Sequence, residues 1–210
     1  TYSLAETEPA QYHRPNIHPM PPPRNPMTAY FTADLHLHHS KLAGLRGFDT
    51  TGAHDAAVMA ELYRLDPEND VLWVLGDICS GGIASMHIAL EQLSTLEVPL
   101  HLVTGNHDPV NPMYRNAQRH AADFADVFES VQQHARTKIG EHGVLLSHFP
   151  YAGTPDEHER DKFLQFQLPD LGMWLVHGHT HSSRRRSGKR SVCVSLEAWG
   201  LRPASEDELV

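Results

Sequence analysis

A chain of 210 residues, 40% hydrophobic and 20% charged, has the length for one domain with a sizeable core and the composition of a soluble globular protein. Its formal charge of −9 argues against broad coating of nucleic acid and leaves room only for a local basic patch. The sequence has no apolar run long enough to span a bilayer and no basic-then-apolar leader, so the expected location is the cytoplasm, without a membrane partner. Cys79 and Cys193 make neither a disulfide framework nor a Cys-x-x-Cys pattern and are expected as small buried apolar residues. Seventeen histidines are more than an ordinary core uses.

In chain order, residues 1–27 form a Pro-rich N-terminal extension holding seven of the fifteen prolines, clustered around PMPPPRNP. Such a segment is expected to be extended, either as a leader or as a strap across the protein or a partner. The body, residues 28–210, alternates short apolar runs with helical stretches, the pattern of an α/β layer fold. YFTADLH (30–36) reads as a strand ending in Asp34 and His36, and HDAAVMAELYRL (54–65) as a helix. VLWVLGD (71–77) ends in Asp77 and is followed by a helical IASMHIALEQLSTL (83–96). LHLVTGNHD (100–108) ends in Asn106, His107 and Asp108, and PMYRNAQRHAA (112–122) has a less regular helical spacing. GVLLSH (143–148) ends in His148, and MWLVHGHTH (173–181) in His179 and His181.

Each of these five β-rich runs delivers a metal-competent side chain at its C-terminal end. Ligand sites of α/β sheets gather beyond the carboxyl ends of strands, so neighbouring strands would bring these residues together. Gly76, Gly105 and Gly178 stand just before the candidates, where the chain must turn sharply and backbones must approach closely. A single histidine at a strand end is more often hydrogen-bonded or exposed than a ligand. Five runs with one grammar point to metal. Imidazole, carboxylate and amide donors without thiolate suit Mn²⁺, iron or Zn²⁺.

The ordered set DLH (34–36), GD (76–77), GNHD (105–108), SH (147–148) and GHTH (178–181) resembles the signature of the calcineurin-like metallophosphoesterases, over residues 28 to about 200. The DLHLHH opening and SVCVSLEAWGLRP close are similar to small phage and bacterial members, mycobacteriophage enzymes included. The resemblance implies two facing mixed β-sheets flanked by helices, a four-layer αββα sandwich with its site at the strand ends. It implies two divalent ions per chain, one held by Asp34, His36 and His181 and one by Asn106, His148 and His179, with Asp77 bridging. Cys79 falls at no ligand position of the family. The implied reaction is in-line hydrolysis of a phosphoester by a water that the metals activate. His107 matches the family's catalytic histidine and would protonate the leaving oxygen or stabilise its charge, while Asp108 would accept from its other ring nitrogen and fix the tautomer. Asp108 also reads as a turn-capping residue before Pro109.

Other positions bear on the substrate. His38 and His39 would either contact it or support the ligands, or simply be exposed; His177 is given no role. The loop after Gly76-Asp77 is ICSGG, without the arginine of the large protein phosphatases, and fits a small diester such as a 2′,3′- or 3′,5′-cyclic nucleotide. SSRRRSGKR (182–190) could steer phosphate-bearing substrates or be a solvated turn, and Ser191 stands where relatives often carry asparagine. A nuclease acting on single-stranded nucleic acid, or a protein-binding scaffold that kept the fold without catalysis, are the alternatives.

Overall fold

Two five-stranded sheets face each other in the computed structural model, which describes residues 27–154 and 161–210. All of the Pro-rich extension except Met27 lies outside the described residues, and so does the expected leader or strap. The first sheet runs β10 (Ala204–Ser205), β1 (Thr28–Thr32), β2 (Asp70–Val74), β3 (Leu100–Val103), β4 (Ser130–Gln132). Its first four strands in chain order are parallel, and β10 is antiparallel to β1. The second runs β5 (His134–Ile139), β6 (His142–Ser147), β7 (Trp174–His177), β9 (Ser191–Cys193), β8 (Arg186–Gly188), with β6, β7 and β9 parallel. A bridge between Ala33 and Ser195 stitches the sheets together just past β1.

Strand alternation divides the apolar side chains between two cores. Phe31, Leu75 and Val103 of the first sheet meet Val144, Leu146, Val176 and Val192 of the second. Leu72, Val74, Leu100 and Leu102 turn the other way, onto helices α2 (Thr51–Leu62) and α3 (Ile83–Leu93). The remaining helices are α1 (Ser40–Leu45), α4 (Ala121–Ala125) and α5 (Leu196–Trp199). None of the described helices is long and apolar enough to cross a membrane.

Helix α2 starts three residues before the expected run because Thr50 caps it, its hydroxyl accepting from the Ala53 N–H at 3.1 Å. PMYRNAQRHAA departs further from expectation and is helical only from Ala117, as a 3₁₀ turn leading into α4. Asn111 wins the preceding stretch for a turn. Its side chain accepts from Met113 N–H at 2.9 Å and donates to the Thr104 carbonyl at 3.0 Å, local bonding that competes with helix.

Candidate metal centre

The loops that leave β1, β2, β3, β6 and β7 meet at one end of the seam between the sheets. Asp34, His36 and His181 bring their donor atoms within 4.8 Å of one another, and Asp77, His148 and His179 form a second such group. In the first, the Nε2 atoms of His36 and His181 lie 3.2 Å apart, with Asp34 Oδ1 4.0 and 3.8 Å from them. In the second, His148 Nε2 stands 3.0 Å from Asn106 Oδ1, 3.2 Å from His179 Nδ1 and 3.4 Å from Asp77 Oδ2. The same Asp77 oxygen is 3.7 Å from His36 Nε2, so one carboxylate spans both clusters. Cys79 belongs to neither and is buried, as is Cys193.

Backbone conformation shows what this convergence demands. Among the described residues, seven that are not glycine have positive φ, and five of them are Asp34 (60°), His36 (47°), Asp77 (57°), His179 (70°) and His181 (50°). The left-handed region disfavours L-residues by about 1–2 kcal/mol each, and such strain concentrates where function over-determines the backbone. The glycines make the approach possible. A Cβ on Gly76 would lie 2.6 Å from Gly105 Cα, and one on Gly105 would lie 2.6 Å from the Asp77 nitrogen.

The donor set fits metal ions. Donors around an ion at about 2.1 Å lie roughly 3.0–3.4 Å apart, the spacing found among His36, His181, Asn106, His148 and His179. Asp34 Oδ1 is buried and has no hydrogen-bond partner among the described residues, while its other oxygen accepts from the His179 N–H and the Ser195 hydroxyl. Burial pushes the Asp34 carboxyl upward, only partly opposed by His181 and His148. Burial also raises Asp77, but His148 and His36 more than reverse this and hold it below the ordinary carboxylate range. His148 is lowered by burial and then carried up to about 9 by Asp77. A dication in each cluster would balance its buried carboxylate.

Several partners orient the ligands. His148 Nδ1 donates to the Leu75 carbonyl at 2.8 Å and His181 Nδ1 to Glu197 at 2.9 Å, leaving each Nε2 aimed into its cluster. Arg46 binds the same Glu197 oxygen at 2.8 Å, and the Asp34 and Leu35 carbonyls at 2.7 and 3.1 Å. It thereby ties the first sheet's ligand loop to the second sheet's histidine. Behind it, Arg46 meets His54 at 2.9 Å, and His54 meets Asp55 at 2.8 Å. Sequence reasoning missed Arg46, His54, Asp55 and Glu197. Their only signal is that they are charged or titratable residues beside apolar ones.

Asp108 has partners other than the expected His107 ring. Its Oδ2 accepts from the N–H groups of Gly105 at 2.7 Å and Asp77 at 3.0 Å, and its Oδ1 from Ile78 at 3.0 Å. With three backbone donors filling its oxygens, Asp108 is the turn-capping residue, and it locks two ligand loops together. Burial and the nearby Asp77 push its carboxyl up to about 6. Asp108→Ala would leave three buried N–H groups unpaired and should destabilise the fold by roughly 3–5 kcal/mol. Thermal and denaturant unfolding would register this, and an unchanged midpoint would remove the role. His107 is exposed, its N–H bound to Asp77 Oδ1 at 2.8 Å and its ring 5.3 Å from that of His36.

His38 turns away from the centre, its ring nitrogens 3.1 Å from Gln92 and 3.3 Å from Asp55. His39 stays near, with its ring centroid 5.7 Å from that of His36. His177 is buried, 2.6 Å from Ser187 Oγ, which in turn is 2.9 Å from Ser191. In the basic run, Arg185 and Arg186 lie over the rings of Trp199 and Trp174 at 3.9 and 4.8 Å.

Known proteins are similar to this chain in sequence and in fold. Residues 27–198 match the calcineurin-like phosphoesterase superfamily domain. The gene 66 protein of Mycobacterium phage L5 is 37% identical over 191 residues, covering 86% of this chain and 91% of its own. Its counterpart in phage D29 is 40% identical over 179 residues, covering 81% and 88%. A shorter match, 33% over 84 residues, reaches a Nostoc protein named as a 3′,5′-cyclic-nucleotide phosphodiesterase, covering 40% of this chain and 31% of that protein. A solved structure of a protein of unknown function from Aquifex aeolicus is similar in fold, with a TM-score of 0.61 at 22% identity, covering 87% of this chain and 97% of that one.

Proposed function

The chain belongs to the calcineurin-like phosphoesterase superfamily, and on that footing we propose that its centre holds two divalent ions and hydrolyses small phosphodiesters, cyclic nucleotides foremost. Asp34, His36 and His181 would hold one ion and Asn106, His148 and His179 the other, with Asp77 facing both. The observation that carries this reading is the single Asp77 oxygen lying 3.7 Å from His36 and 3.4 Å from His148.

Bound manganese, iron or zinc supplies Lewis acidity and a lowered water pKa at the reacting phosphorus. The rest is work for the chain. His107 reaches the solvent side of the centre and holds a proton for the departing ester oxygen. Its backbone is fixed by Asp77 and by the Asp108-capped turn. His39 and Lys41 line the cavity beside His36 and His181, where they can meet substrate oxygens. The neutral 78–82 loop and the name of the Nostoc relative support a diester over a phosphoprotein. The basic run offers a nuclease little, since two of its arginines are stacked on tryptophans.

The test is a comparison of substrates on metal-loaded protein: bis(p-nitrophenyl) phosphate, p-nitrophenyl phosphate, 2′,3′- and 3′,5′-cAMP, and single-stranded DNA. The diesters should exceed the monoester in kcat/KM by at least about tenfold, a margin of roughly 1.4 kcal/mol. A preference for the monoester would overturn the diester reading.

A further inference from the structure

His107 stands on the wall between two cavities of unlike chemistry. One, about 510 Å³, has His36 and His181 in its wall and Lys41 beside them. The other, about 400 Å³, contains no residue of either metal cluster. Ile83, Met86, Pro109 and Tyr114 give it apolar lining, and Ser80 and His120 stand among them. Ile83 and Tyr114 are 45% and 44% exposed, large apolar side chains left at an opening instead of packed away. Arg115 and Asn116 also line it, and Arg115 has no ion pair or hydrogen bond among the described residues. Mostly apolar walls with a few polar groups, in a volume of this size, are the anatomy of a small-molecule site.

We propose that this second cavity binds the planar heterocycle of a nucleotide substrate, with the phosphate at the metal centre and His107 between them. This rests on the phosphodiesterase reading above and assigns the part of the substrate that the metals do not. A sugar would make little use of Ile83, Met86 and Pro109, and an alkyl chain would make none of Arg115 and Asn116. A base offers flat apolar faces and a hydrogen-bonding edge together. Stacking on an aromatic side chain tolerates any base, and guanidinium groups stack or bond at the edge. In a cyclic nucleotide both ester oxygens belong to one nucleoside, so a base held beside His107 keeps the leaving oxygen within that residue's reach.

Calorimetric titration of the metal-loaded protein tests this with AMP, ribose 5-phosphate, hexyl phosphate, inorganic phosphate and adenosine. AMP should bind at least about tenfold more tightly than ribose 5-phosphate, the lower range of base stacking. Tyr114→Leu should remove most of that preference without weakening ribose 5-phosphate. Tyr114→Phe should keep it. Both variants lose the bond from the Tyr114 hydroxyl to the Asn106 carbonyl, so their difference isolates the ring. Ile83→Asp, at the exposed mouth, provides a second variant and should weaken AMP selectively. Equal affinity for AMP and ribose 5-phosphate in the parent would overturn the proposal, as would hexyl phosphate binding as tightly as AMP. Adenosine separates this inference from the metal reading. Binding of adenosine that Tyr114→Leu abolishes would sustain the cavity even if inorganic phosphate failed to bind, whereas phosphate binding without any base preference would sink the cavity alone.

Discussion

Asp77→Ala should strip metal from both clusters at once and lower phosphodiester hydrolysis on the order of 10³-fold, the several kcal/mol that metal ions contribute to charge stabilisation. The parent is expected to hold about two ions per chain. The reason for a double loss is geometric, since one Asp77 oxygen faces both His36 and His148. Asp77→Asn keeps the shape and an acceptor for the His107 N–H, so comparing the two variants separates lost charge from a disturbed loop. His36→Ala should weaken chiefly the first cluster, in which it pairs with His181. Elemental analysis after dialysis decides the matter. Two full ions retained by Asp77→Ala would refute the bridging assignment.

His107→Ala should separate substrates by their leaving group. An alkoxide, as in a cyclic nucleotide, leaves badly without a proton, so the loss there should be about 10²–10⁴-fold, the range of a positioned general acid. A p-nitrophenolate leaves without protonation, and its loss should be clearly smaller. Metal content should stay at the parent level, because His107 lies outside both clusters. Equal losses on the two substrates would refute proton donation and favour plain stabilisation of phosphoryl charge. Loss of metal would make His107 a ligand.

Strands buried on both faces are near-continuous apolar runs, which is why VLWVLGD and LHLVTGNHD announced β2 and β3. The same signal fails for β5, whose HARTKI alternates charge with apolar residues, and for β8, three residues of RSG. The ligand candidates were legible because each follows such a run directly. The partner of Asp108 was not. A carboxylate beside a histidine invites pairing between neighbours, and only the folded loops reveal three nearer N–H donors. The surroundings of His38 were equally out of reach, since nothing local shows that Gln92 and Asp55 will meet its ring. Arg46 and Glu197 lie 151 positions apart, and no periodicity links residues at that distance.

Both clusters draw donors from both sheets, and this sets the order in which the protein can be made. His36 must wait for His181, and Asp34 for the backbone of His179, each 145 positions later in the chain. A nascent chain that has released β1 to β4 from the ribosome carries Asp34, His36, Asp77 and Asn106 and has yet to extend any of the three histidines of the other sheet. Contacts of such separation are the slow ones in folding, because the intervening loop must be closed first. An ion taken up by these clusters would therefore not nucleate the fold. It would instead join donors across the seam once strands of both sheets are in place.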